Sequence, residues 1–374
     1  MAHPLAAPFV PPPYPYDRLA HLHAAAKEAH GEVIDLSIGT PCDAPPAAVV
    51  TALATSGTER GYPTSVGSAA FRQAAVGWMD RRLSCTVDPA AEIAACVGTK
   101  EFVAGLPHLL RLRRPDLDTV LHPAVSYPSY AMGAILGGCR AVAVPCDDRW
   151  RLDLDAIDPS DIARALCLWS NTPGNPAGGL DDLDAIAAWG RRHGVPVFSD
   201  ECYVEFTWDG PRRTILAGGT DGVVAVHSLS KRSNLAGVRV GCYAGDADLV
   251  HYLSEVRKHL GLIVAGPAQA AAVVAWSDDL HVDEQRARYL GRLRRLAAAL
   301  SDNGIPATVP GGAFYLWVAA PGGDAWALAE DLAVRTGAVV SPGEFYGELG
   351  SGHVRIAAVQ PDERIDQFVD RLSR

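Results

Sequence analysis

Ala225-Val226-His227-Ser228-Leu229-Ser230-Lys231-Arg232-Ser233-Asn234-Leu235-Ala236-Gly237-Val238-Arg239-Val240-Gly241 is the stretch on which the fold turns. The apolar run Val223 to Val226 reads as a strand, and it leads into two serines set around a leucine, then a single lysine. A lysine at a strand exit, beside small hydroxyls, is placed for Schiff-base chemistry once burial and neighbouring cations lower its pKa. Ser228, Ser230 and Arg239 would suit a phosphate dianion, offering two hydroxyl donors and one guanidinium fork. Taken alone, the stretch also reads as a surface turn with a solvated Lys-Arg pair.

The whole chain bounds the choice. Its 374 residues exceed one ordinary domain, and a 48% hydrophobic content can build a sizeable core. A net charge of -10 argues against nucleic acid as a partner, because phosphate backbones need a basic face. No apolar window of about eighteen residues is present, so no membrane span is expected. Met1 to Pro15 lacks the basic start and unbroken apolar core of a signal peptide, and a cytoplasmic protein is expected. The eight cysteines form no Cys-x-x-Cys pair, and no His-Glu-x-x-His occurs. His21 and His23, two residues apart on one helix, point away from each other. Neither a metal site nor a disulfide framework is expected, and reduced, buried thiols are.

Read in order, Met1 to Pro13 forms an arm, and a helix is expected from Tyr16 to His30. A strand from Val33 to Ile38 ends at Gly39-Thr40-Pro41, and Ser68 to Leu83 has helical apolar spacing. Strands then alternate with helices: Ile93 to Val97, Thr119 to His122, Ala141 to Pro145, Ala165 to Trp169, Val195 to Ser199, Val223 to His227 and Val238 to Ala244. This alternation predicts an α/β fold with a mainly parallel sheet covered on both faces. After Pro267 the pattern changes to long helices and an α+β tail, with strands at Ala313 to Val318, Ala338 to Ser341 and Val354 to Ala358. The change places a domain boundary near residue 270.

Ligands of parallel sheets bind at the carboxyl ends of the strands, so the residues delivered there carry the chemistry. Gly98-Thr99-Lys100 opens a helix, whose free N–H groups and dipole favour an anion, although the same residues also make an ordinary turn. Neither the Gly-x-x-x-x-Gly-Lys-Ser/Thr loop nor Gly-x-Gly-x-x-Gly occurs, which disfavours ATP and dinucleotides. Tyr127 can stack on a flat ring or pack in the core. Asn171 and Asn175 sit in a loop stiffened by Pro and Gly, where amides can meet an aromatic hydroxyl. Asp200 ends an apolar strand and needs a cationic or N–H partner there, whether a protonated pyridine nitrogen or a helix cap. Together these pieces match what pyridoxal phosphate requires: a lysine, an acid at the ring nitrogen, donors for the ring hydroxyl, an aromatic plane and an anion cradle.

Over nearly its whole length the chain resembles the class I/II aminotransferases of the aspartate aminotransferase superfamily. Asn175-Pro176-Ala177-Gly178, Ser199-Asp200-Glu201-Cys202-Tyr203 and Ser228-Leu229-Ser230-Lys231 with Arg239 and Gly241 carry the resemblance. It implies a fold type I pyridoxal-phosphate transferase: a large domain (46–270) with a mainly parallel seven-stranded sheet, a smaller α+β domain (271–374), and residues 1–45 as an arm and part of the small domain. It also implies a homodimer with active sites at the subunit interface. By resemblance, Lys231 is the Schiff-base lysine and proton shuttle, Asp200 the pyridine-nitrogen partner, and Asn175 and Tyr203 the ring-hydroxyl partners. Tyr127 is the stacking aromatic; Gly98, Thr99, Lys100, Ser228, Ser230 and Arg239 hold the phosphate, with Tyr62 reaching in from the other subunit. Arg355 and Gly39 face the substrate α-carboxylate.

Within that superfamily, Asp35-Leu36-Ser37-Ile38-Gly39-Thr40-Pro41, Val97-Gly98-Thr99-Lys100-Glu101 and Pro342-Gly343-Glu344-Phe345-Tyr346-Gly347 resemble the succinyldiaminopimelate aminotransferases of actinobacterial lysine biosynthesis. Tyr14-Pro15-Tyr16 departs from the Phe-Pro-Trp expected there, and Arg232 stands where a small residue is usual. Those departures border the substrate side. The expected reaction is amino transfer between an amino acid and a 2-oxo acid. N-succinyl-LL-2,6-diaminopimelate with 2-oxoglutarate is the leading pair, and a substrate of specialised metabolism is the alternative. The same motifs also serve a lyase or cyclase, because an electron sink does not dictate which bond breaks. A silent binding module of this fold is disfavoured by the intact Lys231 and Asp200.

Overall fold

A computed structural model describes residues 9–374. Its strands are β1 (Ile34–Asp35), β2 (Ile93–Cys96), β3 (Thr119–Pro123), β4 (Arg140–Val144), β5 (Ala165–Asn171), β6 (Val197–Asp200), β7 (Val223–Ser228), β8 (Gly241–Gly245), β9 (Tyr315–Ala319), β10 (Ala338–Val339), β11 (Ser341–Pro342) and β12 (His353–Ala357). Seven of them form one sheet in the order β2-β8-β7-β6-β5-β3-β4. β8 runs antiparallel to both β2 and β7, and the remaining pairings are parallel. The fold is α/β, with the mainly parallel seven-stranded sheet that the strand–helix alternation and the resemblance lead one to expect.

Alternation along the strands divides the interior. Val223 and Ala225 of β7 join Leu168 of β5 and Val197 of β6 in one core, which the helices Ala69–Leu83 and Gly266–Ser277 cover. Val224 and Val226 face the opposite side with Trp169, Phe198 and Tyr243, beneath the helix Thr99–Arg113. Both faces are apolar because both are buried, which is why these strands read as continuous hydrophobic runs.

A separate core gathers Leu19, Leu22, Ala26, Ile34 and Leu36 from the start of the chain with residues from Leu293 to Leu372. It encloses the antiparallel sheet β11-β12-β9 and the parallel pair β1-β10. The expected break near residue 270 falls inside the continuous helix Gly266–Ser277, whose buried Ala268, Ala271, Ala272, Ala275 and Trp276 all belong to the large-sheet core. Of the expected arm, Met1 to Pro8 lie outside the described residues.

Other expectations shift for local reasons. The segment 33–38 pairs for only two residues, Ile34↔Ala338 and Asp35↔Val339. The segment 338–341 is two strands in two sheets, separated by the buried Val340. Val238 and Arg239 do not belong to β8. Val238 ends a short 3-10 turn, and Arg239 adopts the left-handed conformation at φ 57 before the strand begins at Gly241.

Candidate active site

The strands β5, β6 and β7 end side by side at Asn171, Asp200 and Ser228, and a cavity of about 530 Å³ opens above them. Lys231, Asp200, Tyr203, Thr99, Lys100, Tyr127, Asn175, Ser228, Ser230, Arg239, Gly39 and Arg355 all line it. Gly98 stands beside this lining as the residue before the helix Thr99–Arg113. Tyr62 is fully exposed and borders a different, open cavity with Gln269 and Gly266, so it does not reach the site of its own chain.

Lys231 follows β7 on the helical turn Leu229–Arg232, whose start is capped by Ser228 Oγ accepting from the Ser230 N–H at 3.1 Å. Its Nζ donates to the Gly39 carbonyl at 2.5 Å. Burial is the main reason its pKa is brought down to about 8, and the positive charges of Arg355 and Arg239 add to that fall. An amine with a pKa of about 8 is unprotonated roughly a tenth of the time at pH 7, several hundredfold more than an ordinary lysine, which favours a nucleophile or proton carrier.

Asp200 is held by Tyr130, which donates to Oδ2 at 2.8 Å, and by the Cys202 N–H, which donates to Oδ1 at 3.2 Å. Burial raises its pKa, while those two donors and Lys231 oppose the rise. Asn171 ties this strand end to the next loop. Its Nδ2 donates to the Asp200 carbonyl and its Oδ1 accepts from the Asn175 N–H, both at 2.8 Å.

Around the cavity wall, Tyr203 and Tyr315 share a hydroxyl hydrogen bond of 2.9 Å. Arg355 Nη1 donates to Asn175 Oδ1 at 2.8 Å, and Nη2 donates to Tyr16 Oη at 3.2 Å and to the Ser37 carbonyl. The guanidinium lies 4.2 Å from the Tyr315 ring centre and 4.7 Å from that of Tyr346. Arg355 is 1% exposed, yet its Nε has no partner, so an unused donor is buried beside the cavity. Lys100 sends its ammonium to the hydroxyls of Tyr14 and Tyr127, at 3.0 and 3.3 Å, rather than across the cavity floor. Tyr127 lies in the cavity wall, and burial pushes its hydroxyl pKa up.

The residues present fit pyridoxal phosphate. No side chain caps the N-terminus of the helix Thr99–Arg113, which leaves its first N–H groups for an anion. Gly98 is left-handed at φ 73, and a Cβ there would come 2.2 Å from Arg239 Nη2. A glycine therefore lets the guanidinium close on that helix end. The hydroxyls of Ser228 and Ser230 complete a phosphate-sized set of donors. Reasoning from sequence missed Tyr130 and Tyr315, and it set Tyr16 at the substrate side without its partner Arg355. Tyr130 lies three residues beyond Tyr127, but its bond to Asp200 spans seventy positions and leaves no periodic signal. Among the described residues, no cluster of His, Cys, Asp and Glu could hold a metal ion, and no helix is long and apolar enough to cross a membrane.

The chain belongs to the family "Aminotransferase class I and II", whose pattern matches residues 31–372. It is thus a pyridoxal-phosphate-dependent aminotransferase acting on small molecules. Its sequence is 40% identical over 370 residues to 4-dedimethylamino-4-oxo-anhydrotetracycline transaminase OxyQ of Streptomyces rimosus, covering 97% of this chain and 99% of that one. It is 32% identical to an LL-diaminopimelate aminotransferase of Desulforudis audaxviator, over 96% of this chain and 95% of the other. The fold matches that of a probable N-succinyldiaminopimelate aminotransferase from Thermus thermophilus with a TM-score of 0.86 at 30% identity, covering 96% and 98% of the two chains.

Proposed function

We propose that the enzyme takes its amino donor by the α-carboxylate on Arg355 and carries the transferred proton on Lys231 Nζ. The observation that carries this reading is one cavity shared by three groups: an amine brought to a pKa of about 8, a buried carboxylate with two donors, and a guanidinium with a spare buried N–H. Pyridoxal phosphate, when bound, supplies an aldehyde for the amino group and a protonated ring that draws off the electrons left at the substrate α-carbon.

The chain's residues do the rest. Gly98, Thr99 and Lys100 at the helix start, with Ser228, Ser230 and Arg239, hold the phosphate. Asp200 keeps a proton on the ring nitrogen, Asn175 and Tyr203 face the ring hydroxyl, and Tyr127 covers a ring face. Lys231 Nζ would remove the α-proton and carry it past the amino nitrogen to the carbon on its far side. Arg355, a rigid fork, fixes the carboxylate so that the α-hydrogen faces the lysine, with Gly39 beside it. We further propose a cytoplasmic homodimer and a division into a large and a small domain, with the boundary moved from residue 270 to the end of the helix Gly266–Ser277. The full exposure of Tyr62, outside its own chain's cavity, supports its entering the partner's site.

For substrates, N-succinyl-LL-2,6-diaminopimelate with 2-oxoglutarate is the leading pair, supported by the segments 35–41, 97–101 and 342–347 and by the fold of the Thermus relative. A second reading, amination of a ketone in specialised metabolism, is supported by the 40% identity to the tetracycline-pathway transaminase across its whole length.

Absorbance spectroscopy of the purified holoenzyme tests both. The visible band should be present in the wild type and absent from Lys231→Ala; an unchanged spectrum would sink the role given to the lysine. Half-reactions with glutamate, N-succinyl-LL-2,6-diaminopimelate and a panel of other amines would then discriminate the substrates. Failure with the succinylated compound alongside turnover of another amine would transfer the assignment to the second reading.

A further inference from the structure

The turn Leu229–Arg232 that carries Lys231 has four residues, too few to hold its own direction. Successive side chains on a helical turn diverge by about 100°, so Arg232 points away from the cavity that Lys231 enters. The Arg232 side chain is 2% exposed and engages all three guanidinium nitrogens. Nε donates to Glu205 Oε1 at 3.3 Å. Nη1 donates to Ser233 Oγ at 3.3 Å and to the Ala275 carbonyl at 2.5 Å. Nη2 donates to the Asp278 carbonyl at 3.2 Å and to Asp279 Oδ1 at 2.9 Å. The rings of Trp78 and Trp276 lie 5.5 and 5.2 Å from its guanidinium carbon. Its place is therefore fixed from several directions.

Glu205 connects this anchor to the other half of the site. It stands on the turn Val204–Phe206, directly after Tyr203, accepts from Arg82 at 3.1 Å and from the Trp78 indole N–H at 2.7 Å, and has Arg212 as an ion-pair partner 2.9 Å away. One buried carboxylate thus fastens both the lysine turn and the segment from Asp200 to Tyr203.

We propose that Arg232 is a positioning residue for Lys231: its pinned guanidinium locks the rotation of the lysine turn against the Tyr203 segment, so that Nζ faces the reacting carbon. This rests on the reading of Lys231 as the proton carrier. Loss of the pin lets the turn rotate and the Nζ leave the Gly39 carbonyl, while Arg355 and substrate capture stay as they are.

Two variants test it, Arg232→Met and Arg232→Lys, the second keeping stem and charge but losing the fork. In holoenzyme, the amino donor that reacts with the wild type is supplied with hydrogen or deuterium at the α-carbon. The half-reaction rate should fall by about tenfold or more, with KM nearly constant and a larger deuterium isotope effect, because proton transfer becomes the slow step. In the cofactor-free chain, competitive acetylation should show the Lys231 midpoint moving up from about 8 towards the ordinary 10.5, a change that structural loosening elsewhere would not produce. A folded variant with wild-type isotope effect and wild-type acetylation midpoint overturns the proposal. If Arg232→Met does not fold, Arg232→Lys decides by the same readouts. A wild type that shows no half-reaction with any amine would refute the proton-carrier reading instead, and the acetylation midpoints would still report on Arg232.

Discussion

Tyr130 donates its hydroxyl hydrogen to Asp200 Oδ2 across 2.8 Å, from the opening of the helix Ser129–Leu136 to the end of β6. Burial lifts the Asp200 pKa, and a donor lost from a buried carboxylate makes it harder still to ionise. Tyr130→Phe keeps the ring, which packs 5.2 Å from Trp169, and removes only the hydroxyl. A hydrogen bond to a charged acceptor contributes about 1.5–3 kcal/mol, so affinity for pyridoxal phosphate should fall roughly ten- to hundredfold at neutral pH. The deficit should grow at lower pH, where the variant's Asp200 becomes protonated first. Equilibrium dialysis at two pH values measures this, and equal affinities would separate Tyr130 from the cofactor site.

Gly39 carries a different constraint. A Cβ there would lie 1.9 Å from Tyr315 Oη and 2.7 Å from its ring. Tyr315 is buried, bonds Tyr203 at 2.9 Å and underlies Arg355, so it has little room to retreat. Overpacking of this kind costs about 1–3 kcal/mol. Gly39→Ala should therefore lower kcat/KM by roughly ten- to hundredfold through displaced Tyr315 and Arg355. Steady-state kinetics read beside a thermal unfolding curve separate the local effect from global loss. Wild-type kinetics would mean that Tyr315 does not support the substrate side.

The parts of this site that were legible in the sequence are those delivered by a strand end. Lys231, Asp200, Asn175 and Thr99 each follow an apolar run, and sheet periodicity alone brings them to one edge. Contacts between segments far apart in the sequence leave no such mark. Tyr16 reaches Arg355 over more than three hundred positions, and Tyr315 meets Tyr203 over more than one hundred. Short pairings leave little mark for a related reason: β10 and β11 adjoin in sequence, but β1 and β12 draw them into separate sheets. The apolar neighbours of Arg239 predict a strand, whereas the residue is left-handed at φ 57 and its guanidinium closes on Gly98.

Arg355→Lys tests recognition of the carboxylate. The guanidinium already serves Asn175, Tyr16 and the Ser37 carbonyl and still presents Nε. An ammonium is a point charge that cannot satisfy those partners and clasp a carboxylate as well. Loss of one charge-assisted hydrogen bond of about 1.5–3 kcal/mol predicts a KM for the amino donor raised roughly ten- to hundredfold. The change in kcat should be smaller, since Lys231 is untouched. A variant with unchanged KM would remove Arg355 from the substrate site.

Beneath the sheet end, His227 and Glu201 form a buried pair whose pH responses oppose each other. They lie 3.7 Å apart, both fully enclosed, and both His227 nitrogens and Glu201 Oε2 lack other partners. Burial pushes His227 down from 6.5 to about 3 and Glu201 up from 4.5 to about 7. Between about pH 3 and 6.5 only the unfolded chain protonates the histidine, so its contribution to stability is complete above that window and is lost as pH falls. Between about pH 4.5 and 7 only the folded chain keeps the proton on the glutamate, so its contribution is complete below that window and is lost as pH rises. Each slope is about 1.4 kcal/mol per pH unit, and in the overlap they offset. Glu201→Gln exposes the histidine, and the variant should lose stability relative to wild type as pH falls from about 6.5 to 5. His227→Gln exposes the glutamate, and the variant should gain relative to wild type over the same interval. Urea unfolding at several pH values reads both slopes; parallel stability curves in the two variants would show that neither group titrates in the folded chain as its burial dictates.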